Sequence, residues 1–426
     1  MSKNIITNVK GRMVFDSRGN PTVEAEVQIN NNYYAKAISP SGASKGKKEA
    51  LEKRDNDNNK FYGMSIDQNI SIINKEIKEI LIGLDIEDQM KIDRNLIELD
   101  GTLDKSNIGG NTIIAVSMAT LIGAAVSNKI PLWEYLNKSS DKKLPMPEIQ
   151  IIGGGSHAKG SIPIQDFMII PNGAPDFYTA LDWVFKIYKL AGDKLLKNNN
   201  LYGVADEGGY WPNFDDIPSV LDFLLDTIKE AGFLPFKEVS ISLDIAANNF
   251  NFNNEYKISN KKENIFGADE LYDFLIKIIK NYPIISIEDP FAEQDLQYFN
   301  KLNNNTPSYL QIVGDDLVVT NTKLIQEAHE KNAINTVLIK PNQIGTISET
   351  YNALKLSNEL NLMSILSARS GETEDSFLSD LSVGWNIKQL KVGSFSRSER
   401  LSKWNQCLRI GENFKDKYAM HKIWNF

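Results

Sequence analysis

The chain has 426 residues, 42% apolar and 24% charged, the balance of a globular protein with a full core, and its length allows two or three domains or a small domain beside one large barrel. A net charge of −8 argues against nucleic-acid binding through a global basic field, because phosphate contacts need clustered Lys and Arg. The single cysteine, Cys407, excludes an intrachain disulfide and a cysteine-based metal cluster, and three histidines argue against a multi-histidine zinc site, so any metal is expected on oxygen ligands.

In chain order, the N-terminal MSKNIITNVKGR lacks the apolar core of a signal sequence. Residues 22–38 read as two strands, TVEAEVQI and YYAKAI, joined by a turn at Asn30-Asn31-Asn32. Three helical stretches follow. Ser65 to Ile82 carries Ile66, Ile70, Ile73, Ile77 and Ile80 on one stripe, and a second helix covers about Ile86 to Leu99. Asn111 to about Ser127 is apolar nearly all round and is expected to be buried. These elements predict a small α+β domain over residues 1–138. No stretch reaches the roughly 20 apolar residues of a membrane span, so a cytoplasmic protein without a membrane partner is expected.

From residue 139 to 426 the rhythm becomes strand, loop, helix. Strands are expected at Phe167 to Pro171, Val239 to Ile245, Pro283 to Asp289, Leu310 to Asp316, Thr336 to Asn342, Leu362 to Ala368 and Gln389 to Ser394. Helices are expected at 177–199, 219–231, 269–281, 323–331, 348–360 and 374–385. Buried strands alternating with amphipathic helices imply a parallel sheet, and this many units suit an α/β fold closed as a (β/α)8-like barrel. Cys407, in WNQCLRI, is expected to be a buried helical thiol.

A barrel carries its chemistry at the C-terminal ends of its strands. Charged residues stand there in this sequence: Asp244, Glu288, Asp289, Asp315, Asp316, Lys340, Arg369 and Lys391. One such acid alone reads as a helix cap or solvated loop residue. Three acids and two lysines on successive strands read as one site, because each would be costly to bury unpartnered. Asp244, Glu288 and Asp315 would converge at the mouth, where three like charges call for a cation. All-carboxylate ligation favours Mg²⁺, with Mn²⁺ as a substitute. Beside a divalent metal the ammonium form of Lys340 should be destabilised, and a lowered pKa would let it act as a base. The set suits proton abstraction next to a carboxylate, with the metal stabilising an ene-diolate.

Longer motifs sharpen this reading. They are DSRGNPTVEAEV (Asp16 to Val27), SGAS (Ser41 to Ser44), DGT (Asp100 to Thr102), ADEGGY (Ala205 to Tyr210), SIEDPF (Ser286 to Phe291), VGDDLVVTN (Val313 to Asn321), LIKPNQIG (Leu338 to Gly345), RSGETED (Arg369 to Asp375) and GSFSRSER (Gly393 to Arg400). Along nearly its whole length the chain resembles the enolase family. The resemblance implies an enolase-type barrel, a homodimer, and dehydration of 2-phosphoglycerate to phosphoenolpyruvate with two Mg²⁺ per active site. It implies Asp244, Glu288 and Asp315 as ligands of the first Mg²⁺, and Ser44 as a loop ligand that helps hold the second. It implies Lys340 as general base and Glu207 as general acid on the leaving hydroxyl. Gln165 becomes a substrate contact, Arg369 and Ser370 a phosphate clamp, and Lys391 the lysine that binds the substrate carboxylate and helps stabilise the ene-diolate. His157 becomes a loop histidine near the phosphate and the leaving group.

The sequence also departs from the family pattern. Asp166 stands where Glu is usual, which keeps a catalytic carboxylate but retracts it by about 1.5 Å, and ~1 Å misplacements can cost on the order of 100-fold in rate. Ala368 replaces an active-site histidine, and Gly153 replaces an Asn before paired glycines. Lys45 and Lys159 add charge to two loops, and Trp211 stands where a small residue is usual. The changes cluster on the leaving-group side and the closing loops, whereas the metal ligands and both lysines are intact. Three readings stay open: a working enolase that has drifted, a paralogue acting on a related phosphorylated or phosphonylated carboxylic acid, and a catalytically weak scaffold. Intact metal ligands and base count against the scaffold.

Overall fold

The computed structural model describes residues 4–43, 46–158, 162–258 and 265–426. Near the N-terminus three antiparallel strands, β1 (Ile6–Phe15), β2 (Pro21–Ile29) and β3 (Tyr33–Ile38), form a sheet in that order. β1 adds a strand before the two read from sequence. Its polar run hides it, because Arg12 spends its charge on Glu24 and Glu26 across the strand pair rather than on solvent alone. The helix Gly110–Ser127 packs on β2 and β3. It is long and apolar enough to span a membrane, but 89% of it is buried inside the fold. The isoleucine-striped helix runs from Asp67 to Leu81 and contains a π turn, Ile73–Ile77. At that turn Asn74 hydrogen-bonds both ways with the backbone of Gly11, at 3.0 and 3.3 Å. Only glycine lets the strand approach so closely, since a Cβ at Gly11 would lie 2.9 Å from Ile73 Cβ.

The larger sheet contains β4 (Met146–Gly153), β5 (Asp166–Ile170), β6 (Leu201–Val204), β7 (Tyr210–Pro212) and β8 (Ser240–Asp244). A small separate sheet, β9 (Asn251–Phe252), β10 (Glu255–Lys257) and β11 (Ile265–Phe266), interrupts the chain. The large sheet resumes with β12 (Ile284–Glu288), β13 (Gln311–Gly314), β14 (Thr336–Ile339), β15 (Met363–Ser367) and β16 (Gln389–Ser394). Eight of these strands close a barrel in the order β16-β15-β14-β13-β12-β8-β5-β4, sealed by pairing of β16 with β4. Helices including Phe177–Lys197, Ile217–Glu230, Ala268–Asn281 and Ile347–Glu359 carry amphipathic sequences, with Asp176, Asp216 and Thr346 as N-caps.

One expectation is overturned. The barrel is not wholly parallel, because β5 runs antiparallel to both β4 and β8. No helix of the barrel's outer layer is described between β4 and β5, and the chain returns beside β4 in the opposite direction. Its consequence is local to the site. Asp166 begins β5, yet it pairs in register with Asp244, which ends β8. The start of β5 therefore lies at the same mouth as the C-terminal ends of the parallel strands. No apolar run marks β4 in the sequence, because Glu148 and Gln150 interrupt it; both point to partners inside the barrel, Glu148 to Ser242 and Gln389, Gln150 to Asp166.

The N-terminal elements are latched to the barrel by hydrogen bonds. Ile38 N donates to Asp375 Oδ2 at 2.8 Å, Ile347 N to Ser117 Oγ at 3.0 Å, and Ser348 N to Asp93 Oδ2 at 2.8 Å.

Candidate active site

At the barrel mouth His157, Gln165, Asp166, Glu207, Asp244, Lys340, Ala368, Arg369, Ser370 and Lys391 line one small cavity, and all of them are buried. Lys391, on β16, reaches across to Asp244 Oδ2 at 2.9 Å and Glu288 Oε2 at 2.7 Å, with Asp166 Oδ2 at 3.9 Å. Burial alone would lower its pKa, but Asp244 and Glu288 outweigh that and hold it well above the usual lysine range. Lys340, just past β14, bonds Asp315 Oδ2, while Gln343 Nε2 donates to Asp315 Oδ1 at 2.7 Å. Gln165 Nε2 donates to Asp244 Oδ2 at 3.0 Å.

The lowering expected of Lys340 depends on a divalent cation beside it. Burial does push its pKa down, but Asp315 and Glu288 face it and the net direction is upward. The carboxylates that would hold a cation here lend their charge to the lysine. A dication bound to them would offset that support.

Whether a divalent cation fits can be judged from the acids themselves. Burial, reinforced by Asp244, drives the Glu288 carboxyl well above its ordinary range, with Lys391 opposing. Glu288 Oε1 is buried with no hydrogen-bond partner among the described residues. A buried, unpartnered carboxylate oxygen beside two more carboxylates suits a hard cation. Among the described residues the acids close enough to share an ion are Asp289, Asp315 and Asp316, and, with His157, Asp166 and Glu207; Asp244, Glu288 and Asp315 do not themselves form such a group. However, Asp289 spends both oxygens on the N–H groups of Asp315 and Asp316, at 3.0 and 2.7 Å, and so fixes the turn that aims Asp315.

On the other side of the cavity His157 Nδ1 lies 2.8 Å from Asp166 Oδ1, and His157 Nε2 lies 3.8 Å from Glu207 Oε1. Burial raises the Asp166 carboxyl, with His157 opposing. Glu207 moves the other way: burial raises it, but His157 and Arg400 together prevail and lower it. The loop carrying Glu207 is tied down by Ser394 N to Glu207 O at 2.8 Å and by Tyr188 OH to Gly208 O at 2.9 Å.

Arg369 is held by Glu49 through bonds of 2.9 and 3.3 Å, and Ser370 Oγ accepts from Ala43 N at 2.7 Å. Behind them the fully buried Arg400 donates to Arg369 O and Ser370 O, each at 2.7 Å. Ser44, Lys45 and Lys159 lie outside the described residues. Trp211 sits half-buried on β7 and is not among the residues that line the cavity.

Four residues that shape this site went unassigned from sequence. Arg400 and Gln343 lie inside quoted motifs, GSFSRSER and LIKPNQIG, so their signal was present. Gln150 was signalled only as a polar break in a strand. Glu49 carried no signal, since its partner Arg369 is 320 residues away.

Comparison with known proteins decides the family. The family description "Enolase, N-terminal domain" matches residues 6–136, and "Enolase, C-terminal TIM barrel domain" matches residues 141–424. The chain belongs to the enolase family. An enolase of Ehrlichia ruminantium is 44% identical over 405 residues, covering 95% of this chain and 96% of that protein. An enolase of Pelagibacter ubique is 44% identical over 423 residues, covering 99% and 100%.

Proposed function

We propose that the chain is a Mg²⁺-dependent carbon–oxygen lyase that dehydrates 2-phosphoglycerate to phosphoenolpyruvate. One observation carries this reading: two buried lysines, each bonded to a carboxylate of the candidate metal set, face one cavity that Glu207 and Arg369 also line. Asp244, Glu288 and Asp315, with Ser44, would hold two Mg²⁺. Bound there, the ions supply positive charge to an ene-diolate formed from the substrate carboxylate. Lys340 removes the α-proton. Lys391 holds the carboxylate and shares its developing charge. Arg369 and Ser370 clamp the phosphate, for which a guanidinium is the natural partner. Gln165 contacts the substrate beside Asp244.

Glu207 delivers a proton to the departing hydroxyl, with His157 and Asp166 completing the proton-bearing group. His157 stands between the two carboxylates, with Nδ1 2.8 Å from Asp166 Oδ1 and Nε2 3.8 Å from Glu207 Oε1. Family membership also supports a homodimer, which sedimentation would test.

The test is the appearance of phosphoenolpyruvate absorbance with purified protein, 2-phosphoglycerate and Mg²⁺. Turnover should vanish in excess chelator and in Asp315→Asn. Full turnover in chelator would remove the metal assignment.

Ala368 favours a second reading. It lines the cavity where the family places a histidine, and its short side chain leaves room for a larger leaving group. A specialised paralogue would bind 2-phosphoglycerate weakly. Dehydration at about 10–100 per second, ordinary for metabolic enzymes, excludes it.

A further inference from the structure

Two departures from the family pattern, the shortened Asp166 and the side-chain-free Gly153, are direct cross-strand partners in the β4–β5 pair. A third residue fills the space around them. Gln150, fully buried on β4, donates from Nε2 to Asp166 Oδ1, and its Oε1 accepts from Gly209 N at 2.7 Å. Gly209 follows Glu207 by two residues. One amide therefore ties the Asp166 carboxylate to the loop that carries Glu207.

The packing leaves no slack. A Cβ at Gly209 would lie 2.5 Å from Gln150 Oε1. A Cβ at Gly153 would lie 2.4 Å from Ala205 Cβ and 3.4 Å from Gln150 Nε2. Asp166 Oδ1 is already shared between the Gln150 amide and His157 Nδ1. The methylene missing at position 166 is thus matched by the reach of Gln150, Gly209 leaves the space that the glutamine Oε1 occupies, and Gly153 leaves the space that lets this strand pack on Ala205.

We propose that Gln150 is a positioning residue that sets the geometry between Asp166 and Glu207, and that Gln150, Gly153 and Asp166 act as one packed unit, so that the departures at 153 and 166 are not independent of Gln150. The inference rests on the reading above, in which Asp166 and Glu207 serve the leaving-group side. It follows that restoring glutamate at 166 alone harms the enzyme: the longer carboxylate presses on Gln150 and His157, which already crowd one oxygen of the shorter one. Shortening the amide at 150 while lengthening the carboxylate at 166 relieves the conflict.

The experiment is a double-mutant cycle on the Mg²⁺-loaded enzyme, with dehydration of 2-phosphoglycerate and exchange of its α-proton in deuterated water measured separately. Asp166→Glu alone and Gln150→Asn alone should each lower dehydration by about 10–100-fold, the range of ~1 Å misplacements. The pair Gln150→Asn with Asp166→Glu should return to within roughly threefold of the parent, a coupling that independent sites do not show. Exchange, which depends on Lys340, should move little in any of the three, whereas a merely structural role for Gln150 would depress both readouts together. If Asp166→Glu fails to fold, Gln150→Asn and its split between dehydration and exchange still decide. A faster Asp166→Glu enzyme, or effects of the two changes that simply multiply, overturns the inference. Asp166→Ala separates the levels: if it leaves dehydration unchanged, the assignment of Asp166 to the site has failed, and if it abolishes dehydration while Gln150→Asn is silent, only the role of Gln150 has failed.

Discussion

The two lysines at the barrel mouth are not equivalent, and the difference lies in what each holds. Lys391 bridges Asp244 and Glu288 within 2.9 Å, so it is fixed from two strands. Among the described residues Lys340 bonds Asp315 alone, and Asp315 divides itself between Lys340 and Gln343. A base must give up its proton partners as the reaction proceeds, and the singly held lysine is the freer of the two. Lys340→Ala should abolish exchange of the substrate α-proton with deuterated water while circular dichroism stays unchanged; exchange at the parental rate would place the base elsewhere. Arg400 supports Arg369 and Ser370, the proposed phosphate clamp, from behind by donating to their two successive carbonyls. A lysine cannot span both, because its ammonium is a point donor where the guanidinium is a fork. Arg400→Lys should therefore raise KM about tenfold or more, by letting Arg369 and Ser370 drift, with a smaller change in kcat. At this scale the sequence was informative about ionisable groups at strand ends, since an apolar run that stops at an acid announces a buried charge. It was silent on Glu49, whose pairing with Arg369 depends on how the N-terminal segment folds over the barrel.

Between residues and the whole fold, the barrel strands show which patterns can be read and which cannot. β8, β12, β13 and β15 are apolar runs buried on both faces, and such runs are visible without any partner. β4 and β1 are also strands, but their polar residues are satisfied by groups distant in sequence, so neither alternation nor an apolar run marks them. The reversal of β5 was unreadable for the same reason: strand direction depends on the connection from β4, not on the residues of β5. Glu207 illustrates how an element delivers a side chain. Its loop is held by β16 at one side and by Tyr188 at the other, and Gly208 adopts φ +94° at the bend. A Cβ there would lie 2.6 Å from Ser396 O, so both backbone conformation and space demand glycine. Gly208→Ala should cost about 1–3 kcal/mol in denaturant unfolding. It should also lower dehydration more than α-proton exchange, because the displaced group is Glu207 and not Lys340. Equal losses in both activities would show that the loop supports the whole mouth.

Across the whole molecule, stability should depend on pH through buried groups far from the cavity, and the sign can be worked out for each. His421 is lowered to about 4 by burial and by Lys143 and Lys388. A depressed histidine costs nothing above its unfolded value near 6.5, and it removes stability as pH falls from there toward 4, where the unfolded chain binds the proton and the native one resists it. Asp380 has the opposite sign. It lies on the helix Phe377–Gly384, accepts from Gln406 Nε2 at 3.2 Å on both oxygens, and is raised by burial to about 6. A raised acid favours the native state fully below its unfolded value near 3.9, and that contribution is lost as pH climbs through about 6, because the native fold must then hold a charge it solvates poorly. Asp380→Asn keeps an acceptor for Gln406 and removes the charge. The variant should match the parent near pH 4 and exceed it at pH 7–8 by up to about 2–3 kcal/mol, read from denaturant unfolding at the two pH values. A gain equal at both pH values would mean that packing, not ionisation, sets the cost of Asp380. A loss at pH 7–8 would mean that its carboxylate is better solvated in the native fold than burial implies.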